Sequence, residues 1–130
     1  MHAKYLYDKY LDTEISLSLP RINEAEGGFK AYDEVDDRFF VQIMLAYRLF
    51  LPRVGITVST RERAEFRDRL IYLGATRFSA GSRTEVGGYS KREEKTAPQF
   101  EISDNRDVDE IVRTIKEKGY QPVFKDWDLI

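Results

Sequence analysis

Three short segments of this chain alternate apolar and hydroxyl residues, and segments of helical period separate them. In Glu14-Ile-Ser-Leu-Ser-Leu-Pro20, Ile15, Leu17 and Leu19 share one face, and Ser16 and Ser18 the other. In Gly55-Ile-Thr-Val-Ser-Thr60, Ile56 and Val58 oppose Thr57 and Ser59, and in Thr76-Arg-Phe-Ser-Ala-Gly-Ser82 the residue of hydroxyl parity is Ser79. A period of two marks a strand, because successive side chains leave opposite faces of an extended chain. Strand and helix in strict alternation predict parallel pairing through right-handed crossovers.

The intervening helices follow from apolar spacing and end signals. Residues 3–12 carry Ala3, Leu6, Tyr7, Tyr10 and Leu11 at helical intervals. After the first strand, Gly27-Gly28 marks a loop, and Asp33, Asp36 or Asp37 caps a helix whose stripe is Val35, Phe39, Ile43, Ala46 and Phe50, with Pro52 beyond its end. Ser59-Thr-Arg-Glu62 fits a capping box, with a hydroxyl and a glutamate satisfying free helix-end donors. That helix carries Phe66, Leu70 and Leu73 and stops at Gly74. A polar loop then runs to about Asp104, and a helix bearing Val108, Ile111, Val112 and Ile115 ends at Gly119. Tyr120 to Phe124 reads as a last strand, and the remainder of 120–130 as a tail packed by Trp127.

Parallel sheets usually bury both faces, so their strands read as unbroken apolar runs. Here a hydroxyl-lined face recurs instead, which suits a barrel lumen holding ligand and water; half-exposed strand faces also carry serine and threonine routinely. The 130 residues suit one domain, 1–130, yet a closed (β/α) barrel takes about 250. The fold expected is therefore α/β, with parallel βα units forming an incomplete TIM-like barrel. Its open sheet edge would be completed by further polypeptide or by a second copy in a homo-oligomer. A complete small α/β domain is the competing arrangement.

Composition narrows the chemistry. A formal charge of −2, from 21 basic and 23 acidic residues, does not supply the basic field that non-specific nucleic-acid binding needs. No apolar run approaches the ~20 residues of a membrane span, and a cytoplasmic location is the expectation. The sequence holds no cysteine and a single histidine, His2, which excludes disulfides, thiolate nucleophiles and a cluster held by this chain alone. The mixed run Lys91-Arg-Glu-Glu-Lys95 reads as a solvated loop, and the tyrosines and phenylalanines follow helix stripes as core residues do. Arg61 keeps the lumen parity of Thr57 and Ser59 and falls where a helix begins, an unfavourable place for a cation unless it serves a ligand. Its fork suits a carboxylate.

Seven segments carry a family resemblance: His2-Ala-Lys-Tyr-Leu6, Ser18-Leu-Pro-Arg21, Ser59-Thr-Arg-Glu62, Ser79-Ala-Gly-Ser82, Val86-Gly-Gly-Tyr89, Gln99-Phe100 and Gln121-Pro-Val-Phe-Lys-Asp-Trp-Asp128. In this order and spacing the chain resembles, over essentially its whole length, the C-terminal part of the tyrosine lyases of thiamine biosynthesis, radical S-adenosylmethionine enzymes. A related lyase, which matures the iron-only hydrogenase cofactor, shares most of these motifs but continues into a cysteine-bearing domain. The cysteine-free ending here favours the thiamine branch.

The resemblance implies the last three βα units of a (β/α) barrel. It implies S-adenosylmethionine and a 4Fe-4S cluster as cofactors, the cluster held by a CxxxCxxC loop in an N-terminal half-barrel that this chain does not contain. It implies cleavage of the Cα–Cβ bond of L-tyrosine to p-cresol and 2-iminoacetate for the thiamine thiazole, with thiazole synthase and the sulfur-carrier machinery as partners. The isolated chain is expected to be inactive. By motif match Arg61 holds the tyrosine carboxylate, Ser79 and Ser59 line the lumen beside it, and Arg21 faces the substrate or S-adenosylmethionine. Alternation alone puts Arg21 opposite Ser18, in an ion pair at the surface. Arg83, Thr84 and the Gly87-Gly88-Tyr89 turn have no assigned role. A reading of another class is a non-catalytic half-barrel that binds a partner through its open edge.

Overall fold

A computed structural model describes residues 1–22, 32–84 and 102–124. Within them the order is α1 (His2–Lys9), β1 (Ser16–Ser18), α2 (Asp37–Phe50), β2 (Gly55–Val58), α3 (Ala64–Leu70), one 3₁₀ turn (Ile71–Leu73), β3 (Arg77–Phe78) and α4 (Val108–Glu117). The three strands form one sheet in the order β1-β2-β3, and both pairings are parallel. Ser16 lies opposite Gly55, Leu17 opposite Ile56 and Ser18 opposite Thr57; Thr57 in turn faces Arg77 and Val58 faces Phe78. This register puts Ser16, Ser18, Thr57 and Arg77 on one face, as the alternation predicts.

The other face is the core. Ile56 and Val58 of β2 pack with Phe40 and Met44 of α2, Phe66 and Leu70 of α3, and Leu51 and Val54 of the α2–β2 turn. Phe40 and Phe66 meet edge to face, with centroids 5.4 Å apart. Ile15, Leu17 and Leu19 flank the cluster from β1, and Ala3 and Tyr7 from α1. Gly74 at φ 100° and Gly119 at φ 86° end their helices where left-handed backbone is required. Each is followed by a six-to-one bond, Ala75 N–H to Leu70 C=O at 3.2 Å and Tyr120 N–H to Ile115 C=O at 3.1 Å. Asp36 is the residue that caps α2, accepting from Phe39 N–H at 2.7 Å.

Four expectations are corrected. The buried stripe of α2 is Phe40, Met44 and, with partial burial, Val41 and Tyr47; the stripe Phe39, Ile43, Ala46, Phe50 is one residue out of phase. Residues 39–51 are apolar on nearly every side, so two stripes about 100° apart satisfy the same period, and packing against β2 selects one. The chosen phase leaves Phe39, Leu45, Leu49 and Phe50 exposed. Replacing Met44, which is fully buried, by alanine is expected to cost about 2–5 kcal/mol in urea unfolding. Leu49→Ala, at 84% exposure, should stay within roughly 0.5 kcal/mol. Equal losses at the two positions would return the helix to the other phase.

The second correction concerns Ser59 and Glu62, which do not form a capping box. α3 begins at Ala64 with Arg63 as its N-cap residue, and the Glu62 carboxylate binds Arg21 instead. The capping box is at α4, between Asp107 and Glu110, with reciprocal bonds of 2.8 and 2.9 Å. Third, Tyr120 to Phe124 joins no strand, since Pro122 lacks a ladder donor and the segment leaves α4 through a helix-stop turn. Fourth, the strands are shorter than their alternating segments, and β3 pairs only at Arg77 and Phe78. Gly81 at φ 58° then turns the chain so that its N–H bonds to Arg106 C=O at 3.1 Å. The turn at Gly87-Gly88-Tyr89, the run Lys91–Lys95 and Trp127 lie outside the described residues.

Candidate functional site

Parallel strands deliver their following loops to one end of the sheet, where α/β folds place ligand groups. Ser59 and Ser79 each follow directly on a strand. Continuing the β2–β3 register by one residue sets them side by side, and the last ladder bond, Ser79 N–H to Val58 C=O at 3.1 Å, lies just before them. Both are half-buried. Ser59 Oγ accepts from the Arg61 N–H at 3.3 Å, which ties the backbone of the Thr60–Arg61 turn to the hydroxyl face. Arg61 sits in this turn, three residues ahead of α3 rather than in its first turn, and it is half-buried and engaged within the protein. The unfavourable helix-end position inferred for it is therefore absent; what remains is its place at the strand carboxyl end.

Below this level Ser16 and Ser18 are exposed, and neighbouring polar side chains pair with one another. Ser16 Oγ and Thr57 Oγ1 share a 2.9 Å hydrogen bond across β1 and β2, and Glu14 reaches Arg77 in a 2.7 Å ion pair. Gly55 makes room for that reach, since a Cβ there would stand 3.1 Å from Ser16 Oγ and 3.4 Å from Glu14 Oε1. The face thus has an internally paired layer near the strand starts and the Ser59–Ser79 pair at the strand ends.

Arg21 goes the other way, as alternation predicts. Its guanidinium lies over the Phe40 and Phe66 rings, at 5.3 and 5.0 Å, on the helix side of the sheet. It donates from Nε to Glu62 at 3.0 and 3.1 Å and from a terminal nitrogen to Asp37 at 2.9 Å and Val35 C=O at 3.0 Å. Glu62 is 3% exposed, so this is an interior ion pair and not a surface one. The hydrogen bond that Arg21 donates to Glu62 raises the Arg21 pKa against the opposing effect of burial. The structure therefore groups Ser59, Ser79 and the Arg61 turn together and sets Arg21 apart as a brace between β1, α2 and the turn before α3.

A second ion cluster, which alternation and motif spacing give no sign of, stands behind the pair of serines. Arg67 of α3, 1% exposed, pairs with the equally buried Asp104 and donates to the Ser79 carbonyl. Arg106 also binds Asp104, at 2.7 and 2.9 Å, and reaches Asp68 at 2.9 Å. The N–H groups of Ser103 and Asp104 both bond to Thr60 C=O at 3.0 Å. Burial pushes the Asp104 carboxyl up, but the hydrogen bonds from Arg106 and the charge of Arg67 outweigh it and hold the group below its ordinary range. Burial lowers the Arg67 pKa against the pull of Asp104. Locally the run Asp104-Asn-Arg106 reads as polar loop, because Arg67, which buries with Asp104, lies 37 residues away.

The donor set does not fit an iron–sulfur cluster: the sequence has no cysteine, and among the described residues no three metal-ligating side chains converge. Among those residues no helix is long and apolar enough to cross a membrane.

Residues 18–121 match the family described as Biotin and Thiamin Synthesis associated domain. The chain is 36% identical over 127 residues to the 2-iminoacetate synthase of Escherichia coli (strain K12), covering 98% of this chain and 33% of that protein. It is 34% identical, with the same coverage, to the 2-iminoacetate synthase of Salmonella typhimurium. It thus spans about a third of the length of these curated relatives. Among solved structures, the crystal structure of HydG, a maturase of the [FeFe]-hydrogenase, superposes with a TM-score of 0.78 at 37% identity, over 92% of this chain and 26% of that one. HydG from Carboxydothermus hydrogenoformans gives 0.78 at 35% identity, over 97% and 28%.

Proposed function

The chain belongs to the Biotin and Thiamin Synthesis associated domain family, and from that premise we propose that it supplies the tyrosine-holding wall of a radical S-adenosylmethionine lyase. The enzyme is a 2-iminoacetate synthase, and this chain is the C-terminal portion of its (β/α) barrel. The observation that carries the reading is the convergence of Ser59, Ser79 and the Arg61 turn at the carboxyl ends of adjacent parallel strands. Two further points support it: the names of the relatives, and the agreement of the Ser-Thr-Arg-Glu and Ser-Ala-Gly-Ser segments with that strand end.

In this reading Arg61 holds the carboxylate of L-tyrosine through two parallel N–H···O bonds, which fix rotation as well as position. Ser79 and Ser59 offer hydroxyls to the substrate amino group beside it. With the carboxylate and the amino group both held, the α-carbon is fixed in position and orientation. The bound S-adenosylmethionine and 4Fe-4S cluster, held by other polypeptide, supply the radical chemistry that breaks Cα–Cβ. The contribution of this chain is orientation and exclusion of water. Cleavage yields p-cresol and 2-iminoacetate, the latter taken up by thiazole synthase with its sulfur-carrier partners.

The test is anaerobic assay of this chain together with a cluster-binding N-terminal segment that carries CxxxCxxC. It is expected to form p-cresol from tyrosine, while the 130-residue chain alone forms none. Absence of p-cresol with cluster and S-adenosylmethionine verifiably bound would reject the assignment. A second reading, a non-catalytic half-barrel pairing through its sheet edge, draws on the described sheet having β1 and β3 each bonded on one side only. Concentration-dependent self-association in sedimentation, without tyrosine binding in the joined protein, would favour it.

A further inference from the structure

The cluster behind the two serines joins the two segments that the proposed substrate site depends on. Beyond the last β2–β3 bond, at Ser79 N–H, the sheet no longer sets the distance between the Ser79 segment and the Thr60–Arg61 turn. Asp104 spans that gap. Its backbone N–H holds Thr60 C=O at 3.0 Å, directly before Arg61, and its carboxylate holds Arg67, whose other terminal nitrogen holds the Ser79 carbonyl. Interior ion groups give up much of their hydration, and apolar residues of like volume often stabilise a fold as well or better. Here the buried Nε of the guanidinium has no hydrogen-bond partner among the described residues, while both terminal nitrogens are aimed at specific acceptors. That orientation favours the two acceptors over complete hydrogen bonding.

We propose that Asp104, acting through Arg67, is a positioning residue that sets the spacing between Arg61 and Ser79 at the tyrosine site. The proposal rests on the reading of that site given above. Asp104→Asn keeps the size and the backbone bond to Thr60 but weakens the grip on Arg67. Asp68→Asn serves as the control, because it removes a partner of Arg106 in the same cluster and touches neither Arg67's bond to Ser79 nor Thr60.

The measurement is calorimetric titration of L-tyrosine into the joined protein, loaded with cluster and S-adenosylmethionine and kept unreduced, with melting temperatures recorded in parallel. Asp104→Asn is expected to weaken tyrosine at least about tenfold, since small misplacements of a binding group have large effects. Asp68→Asn should lose severalfold less than Asp104→Asn, even where its melting temperature falls, because it shares Arg106 with Asp104 but holds neither the Ser79 carbonyl nor Thr60. Tyrosine binding by Asp104→Asn equal to wild type overturns the proposal, and so does an equal loss in Asp68→Asn. If Asp104→Asn does not fold, Arg67→Lys decides in its place: one ammonium cannot span both acceptors, so an unchanged affinity there overturns the proposal too. Failure of the wild-type protein to bind tyrosine, or indifference of binding to Arg61→Ala, would instead remove the site reading beneath it.

Discussion

Arg61→Ala in the joined enzyme is expected to cut tyrosine affinity and p-cresol formation by roughly two orders of magnitude. A hydrogen bond to a charged partner contributes about 1.5–3 kcal/mol net, and each 1.4 kcal/mol is tenfold. Losing a two-pronged guanidinium–carboxylate pair therefore removes about 3 kcal/mol. Arg61→Lys should recover only part, because a point ammonium restores charge without fixing rotation. The effect is expected to fall mostly on tyrosine binding, while cleavage of S-adenosylmethionine in the absence of tyrosine stays unchanged. Steady-state kinetics with tyrosine varied, beside a tyrosine-free assay, would separate the two. A variant with wild-type kinetics would show that Arg61 is only a turn residue.

The second large effect concerns stability. Asp104→Ala leaves Arg67, 1% exposed, with its carboxylate partner gone and its Nε already without a hydrogen bond among the described residues. Breaking an interior ion pair from one side costs about 3–5 kcal/mol, a large share of what holds a domain of this size together. The paired replacement Arg67→Met with Asp104→Leu should recover most of that loss, since no uncompensated charge remains. Denaturant unfolding of the three proteins checks the order. A pH series adds an independent mark. The Asp104 carboxyl lies below its ordinary range in the folded protein, held there by Arg106 and Arg67 against the upward push of burial. Its stabilising contribution is complete above the unfolded value of about 3.9 and disappears as pH falls through the lower folded value. Wild type should therefore lose more stability than Asp104→Asn when acidified below about pH 4. Parallel acid profiles would contradict the ionised pair.

These two predictions differ in how far the sequence already pointed to them. The hydroxyl face was legible because period two is a local property. Ser16, Ser18, Thr57, Ser59 and Ser79 needed only their neighbours to be assigned one side, and the β1-β2-β3 register keeps that phase for Ser16, Ser18 and Thr57, with Ser59 and Ser79 one residue beyond it. The helix stops at Gly74 and Gly119 were legible for the same reason. α2 was legible as a helix but not in its rotation, because Phe39 and Phe40, or Met44 and Leu45, satisfy the same apolar period, and only β2 distinguishes them. Glu62 lies at the spacing of a capping residue, yet a tertiary partner, Arg21, claims its carboxylate. Asp104 and Arg67 were out of reach: charged residues in a polar loop and on a helix read as solvated, and nothing local says that a partner 37 positions away will bury both.

The proposed tyrosine site requires that the carboxyl ends of β2 and β3 form one of its ends. The most direct measurement is a crystal structure of the joined protein with L-tyrosine and S-adenosylmethionine bound. It is expected to show the tyrosine carboxylate on the Arg61 guanidinium, with two contacts near 2.8 Å, and the amino group beside Ser59 and Ser79. Tyrosine held by other residues, with Arg61 directed away from it and the two serines facing open solvent, would contradict the account.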